Sequence, residues 1–82
     1  MQTKLLREIK NELGNLRKSE KKVAEFIIQG PQKLISLKMA EAAHMIGVSE
    51  PTINRFCKAM NLQGFNELKM LLAQQLAADD YF

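Results

Sequence analysis

Met39-Ala40-Glu41-Ala42-Ala43-His44-Met45-Ile46-Gly47-Val48-Ser49-Glu50-Pro51-Thr52-Ile53-Asn54-Arg55-Phe56-Cys57-Lys58-Ala59-Met60 is the stretch whose reading decides the fold. Apolar residues fall at Met39, Ala42, Ala43 and Ile46 before Gly47, and at Ile53, Phe56, Cys57 and Met60 after it. Both sets follow the i, i+3, i+4, i+7 spacing that gives a helix one buried stripe. Gly47 suits a tight turn and Ser49 suits the N-cap of the second helix. Pro51 is tolerated because first-turn amides have no intrahelical acceptor. Two amphipathic helices across a short glycine turn make a helix-turn-helix candidate.

Outward from this pair the chain keeps the same style. About Thr3 to Leu16, with Leu5, Leu6, Ile9, Leu13 and Leu16, reads as a helix with one apolar face, its last turn weakened by Gly14 and Asn15. Ser19 opens a second helix, Lys21 to Gln29, as a lone N-cap without a capping box, since Lys22 stands three residues on. Gly30-Pro31 ends it, glycine as a left-handed cap and proline because it cannot continue the ladder. A helical turn over Pro31 to Ile35, a connector at Asn61 to Gly64 and a last helix from Phe65 to Ala78 complete the chain. No window alternates with period two, so the expected fold is all-α, a compact bundle of about five helices containing the helix-turn-helix. The first helix precedes an already complete three-helix unit, so its apolar face is expected to exceed what the core covers and to form a dimer contact.

With 82 residues the chain is one domain with a small core. Twelve Lys and Arg against nine Asp and Glu give a net charge of +3, which favours polyanionic partners without demanding one. Arg17, Lys18, Lys21 and Lys22 cluster, which fits either a solvated helical surface or phosphate contact, and Asp79-Asp80 lies at the far end. The single cysteine, Cys57, excludes an internal disulfide and sits on an apolar stripe, so it reads as a small buried hydrophobe. His44 is a lone histidine without a second ligand, and no metal or cofactor is expected. No run of about 18 apolar residues is present and the N-terminus lacks a signal-peptide core, so a cytoplasmic protein is expected.

In a helix-turn-helix the second helix lies in the major groove and its N-terminal half reaches base edges. With Ile53, Phe56, Cys57 and Met60 inward, the outward set is expected to be Glu50, Pro51, Thr52, Asn54, Arg55 and Lys58. Arg pairs with guanine, Asn with adenine, Glu accepts from cytosine and Thr touches a thymine methyl or a phosphate. Glu50, Pro51, Thr52, Asn54 and Arg55 are therefore the candidate base-reading face. Ser49, at the positive end of the helix dipole, and Lys58, one turn beyond Asn54, are candidate phosphate contacts. An ordinary solvated helix face would look the same.

The order of blocks is more specific. Leu16-Arg17-Lys18-Ser19-Glu20-Lys21-Lys22-Val23-Ala24-Glu25-Phe26-Ile27, Met39-Ala40-Glu41-Ala42-Ala43, Gly47 to Lys58 and Gly64-Phe65-Asn66-Glu67-Leu68-Lys69 resemble, in sequence, the N-terminal DNA-binding domain of the RpiR family of bacterial transcriptional regulators. The resemblance covers about Leu5 to Leu76, and Pro51 with Asn54 is most similar to the HexR-like branch, which regulates genes of central sugar metabolism. It implies a homodimeric regulator, often a repressor, that binds double-stranded DNA at an inverted-repeat operator. On these blocks Lys18, Ser19 and Lys69 join the candidate phosphate contacts. Where the family has Ser or Thr this chain has Lys38, which leaves that helix cap to Ser36 or makes Lys38 itself a phosphate contact. Family members continue into a sugar-isomerase-like domain that senses a phosphosugar; residues 1–78 are expected to be the DNA-binding domain and 79–82 the start of the linker to it.

A helical protein-interaction or dimerisation module would also explain the bundle, but would leave the Thr52, Asn54, Arg55, Lys58 arrangement to chance. An enzyme fits least, because the chain has no glycine-rich phosphate loop, no histidine or cysteine constellation and no paired buried carboxylates.

Overall fold

A computed structural model of the chain describes the backbone of residues 5–81 and the side chains of residues 5–77. Thr3, the expected start of the first helix, and the side chains of Asp79 and Asp80 lie outside the described residues. Within them the elements are α1 (Leu5–Glu12), a 3-10 turn (Leu13–Asn15), α2 (Lys18–Gln29), α3 (Pro31–Ile35), α4 (Met39–Ile46), α5 (Glu50–Ala59) and α6 (Phe65–Tyr81). No strand occurs among the described residues. The radius of gyration, 11.7 Å, is that of one compact domain of this length.

The core is the sum of the stripes. Ile9, Val23, Ile27, Leu34, Ile53, Phe56, Cys57, Leu68 and Leu72 are fully buried. Helix α2 lies at the centre, packed against α1, α3, α4 and α5, while α6 packs against α3, α1 and α5. Helix α1 does not leave a free apolar face. Leu5 and Ile9 are buried against this core, with Leu6 and Leu13 packed half-buried beside them. Helices α2 and α6 together cover the inner side of α1, more than the three-helix unit alone was expected to provide, while Leu6 and Leu13 stay half-buried. The same contact carries a polar link, the Leu6 backbone N–H donating to Gln75 Oε1 at 3.2 Å. That amide is near the described start of α1, and the glutamine that holds it is buried and comes from the other end of the chain.

Several helix ends differ from expectation. Helix α2 starts earlier than Ser19: Arg17 is its N-cap, with the Arg17 backbone N–H donating to Glu20 Oε1 at 3.3 Å, and Ser19 lies inside the first turn. Lys38 caps α4 in the same way through Glu41, at 2.9 Å. Both are half a capping box, because an arginine or lysine side chain has no acceptor to return. Ser36 does not move into that role; its hydroxyl donates to the Lys33 carbonyl at 2.8 Å, closing the end of α3. Gly30 is extended, at φ −159°, so it joins α2 to α3 without the left-handed conformation expected of it. The last helix runs through Tyr81, three residues beyond Ala78.

Candidate nucleic-acid interface

Helices α4 and α5 pack together with Gly47 between them at φ 87°, the left-handed region open to glycine. The Gly47 and Val48 amides both donate to the Ala43 carbonyl, at 2.9 and 3.0 Å, which closes α4 and turns the chain sharply into Ser49. Ser49 is the N-cap of α5, its Oγ accepting from the Thr52 backbone N–H at 3.2 Å. The inward stripe is as the spacing demands, with Ile53, Phe56 and Cys57 fully buried and Met60 nearly so. Burial pushes the Cys57 thiol up to about 11, the neighbouring Lys58 opposing and Glu67 adding to the rise, so the group is a neutral apolar filler.

Glu50, Pro51, Asn54, Arg55 and Lys58 are exposed along one side of α5. Thr52 is not among them. It retains only 4% of its surface, which corrects its expected place in the outward set. The reason lies in the helix period: Thr52 is one turn before Phe56, on the edge of the buried stripe. Its hydroxyl lies 2.9 Å from Ser49 Oγ and accepts from Arg55 Nη2 at 3.1 Å. Either hydroxyl can donate in the Ser49–Thr52 pair, which sits between the Thr52 amide, held by Ser49 Oγ, and the Arg55 guanidinium, held by Thr52 Oγ1.

The chain of contacts continues. Arg55 Nε lies 3.7 Å from Glu20 Oε2, an ion pair between a guanidinium side chain 53% exposed and a carboxylate side chain only 8% exposed. The other Glu20 oxygen holds the Arg17 amide at the start of α2. One polar network thus runs from the N-terminus of α2 through Glu20, Arg55 and Thr52 to the N-cap of α5. Sequence reasoning missed Glu20, although a signal was present. Leu16, Glu20, Val23, Ala24 and Ile27 fall on one helical stripe, and a carboxylate on a buried stripe requires a cationic or N–H partner.

The remaining candidates divide. Lys58 and Lys38 are exposed, as is Lys18 in the first turn of α2, where Ser19 is half-buried. The Lys69 ammonium donates to the Leu37 carbonyl at 2.8 Å and lies 5.1 Å from the centre of the Phe65 ring. It ties α6 to the α3–α4 connection with one of its three N–H donors. Lys38 and Lys69 line one groove of about 580 Å³ with Gln63, Gly64 and Asn66. His44 is exposed, and no cluster of metal-ligating side chains occurs among the described residues. None of the described helices is long and apolar enough to cross a membrane.

A braced helix with a capped, exposed N-terminal half, set across a glycine turn from a second helix, defines a helix-turn-helix DNA-binding domain. A family model described as the helix-turn-helix domain of the rpiR family matches residues 3–79, and the chain belongs to that family. It is 46% identical over 78 residues to the HTH-type transcriptional regulator HexR of Pseudomonas aeruginosa, covering 95% of this chain and 27% of that protein. Over 73 residues it is 47% identical to HexR of Escherichia coli, covering 89% of this chain and 25% of that one. The chain therefore spans about a quarter of the length of these relatives. The crystal structure of the N-terminal domain of the transcriptional regulator ybbH from Bacillus subtilis superposes with a TM-score of 0.85, at 34% identity and over 90% of each chain.

Proposed function

We propose that this chain is the operator-reading domain of a bacterial regulator, with α5 inserted in the major groove. The observation that carries it is the side of α5 on which Glu50, Pro51, Asn54 and Arg55 are exposed beside a capped N-terminus. Asn54 is suited to adenine, Arg55 to guanine and Glu50 to cytosine, while Ser49, Lys58, Lys38 and Lys18 meet phosphates. The regulator acts as a homodimer on an inverted repeat, with its two recognition helices about 34 Å apart or a multiple of that. On the resemblance to the HexR-like branch, the regulator acts in the cytoplasm on sugar-metabolism genes, by repression, with a phosphosugar sensed by a further domain; the similarity to two HexR proteins supports its being a transcriptional regulator.

The test is a gel shift of the chain against a random duplex pool at low salt, with sequencing of the bound fraction. Enriched inverted repeats are expected; a bound fraction as random as the input rejects sequence reading. Sizing at micromolar concentration on the same DNA separates a dimer on both half-sites from a monomer on one.

A further inference from the structure

A guanidinium has two donor edges, Nε with Nη2 and Nη1 with Nη2, and either can make a paired contact. In Arg55 the first edge faces inward, Nη2 donating to the Thr52 hydroxyl at 3.1 Å and Nε lying 3.7 Å from the Glu20 carboxylate, an ion pair beyond hydrogen-bond reach. The second edge keeps both Nη1 protons and one on Nη2, on a side chain 53% exposed. An arginine fixed in this way has lost its rotamer freedom on folding and loses little more on binding. Its charge is also partly answered from below, which weakens its pull on any passing phosphate and favours a partner that fits the free edge.

We propose that Glu20 is a positioning residue for base reading. Its buried carboxylate, with Thr52, holds the inner edge of Arg55 so that the outer edge is presented to a guanine in the major groove. Glu20 lies on α2, outside the helix-turn-helix, and touches no DNA itself. The inference rests on the reading of Arg55 as a base contact, and the test separates the two.

The chain, Glu20→Gln, Arg55→Gln and the double variant are each selected against a random-sequence duplex pool, with circular dichroism confirming a helical fold. Arg55→Gln is expected to lower discrimination at one base pair by roughly 5- to 100-fold. Glu20→Gln is expected to lower it at the same base pair, to keep its affinity for the unselected pool, and to add nothing in the double variant. A purely structural role would instead weaken binding to every duplex alike, and that outcome overturns the proposal. So does a Glu20→Gln variant that retains the base preference Arg55→Gln loses, which would leave Arg55 as a reader that needs no holding. If Arg55→Gln changes no position, the base contact itself is refuted and the inference with it. Should Glu20→Gln fail to fold, Thr52→Val removes the other half of the hold, and an unchanged preference there overturns the proposal equally.

Discussion

The two ends of α5 are held by different chemistry. At the N-terminal end Ser49, Thr52, Arg55 and Glu20 form a polar network, and the neighbouring side chains stay exposed. At the other end the chain leaves through Asn61 at φ 63°, with the Asn61 amide donating to the Lys58 carbonyl at 2.9 Å and the Leu62 amide to the Cys57 carbonyl at 2.8 Å. That is a Schellman closure, sealed by the burial of Met60 and Leu62. Hydrogen bonds can fix a helix end and leave its surface free for a partner, whereas apolar burial fixes it only by using that surface up. The end that faces outward has the first arrangement and the end that faces inward the second.

Removing apolar volume from the C-terminal end should have the largest effect. Leu62→Ala is expected to cost about 2 to 5 kcal/mol in urea unfolding, since it empties a site with little freedom to collapse. A value under about 1 kcal/mol would mean that Leu62 is not what seals this end.

The same end should weaken in alkali. The Cys57 thiol sits at about 11 in the fold against 9.0 as its ordinary value, so the folded chain holds its proton longer than the unfolded one. The stability this contributes is complete below pH 9.0 and declines as pH rises toward about 11. Subtracting the pH profile of Cys57→Ala isolates a difference on the order of 1 to 3 kcal/mol across that window.

The polar end predicts smaller changes in stability and larger ones in binding. Ser49→Ala removes the cap on the Thr52 amide and the hydroxyl partner of Thr52, at about 1 kcal/mol in stability, while also weakening DNA binding in a gel shift. The smallest effect should be a slight net gain: Asn61→Gly relieves a left-handed non-glycine residue but frees the unfolded chain, so it is expected to change stability by under about 0.5 kcal/mol and leave DNA binding unchanged.

Much of the fold was legible because apolar spacing is local. Gly47, the inward stripe of α5 and the short α3 follow from spacing and turn chemistry. What escaped was polar residues committed to distant elements. Glu20, Gln75 and Lys69 each reach a partner on another helix or connection, and helical period alone does not say which partner arrives. Asn61 read as part of a featureless connector because the usual left-handed cap is glycine. Gly30 misled in the opposite sense, a glycine placed where the chain needs no left-handed residue. At the candidate interface the exposed side of α5 was readable, but not that Thr52 is buried at its edge.

Glu20 places a boundary on modularity. One of its oxygens starts α2 and the other steadies α5, so the unit that could be grafted into a different helical scaffold does not begin at Met39. A transplant of α4 and α5 alone would carry Arg55 without its counter-charge. The smallest portable unit that keeps this network intact begins at Arg17, and an engineer exchanging α5 between related domains must move α2 with it.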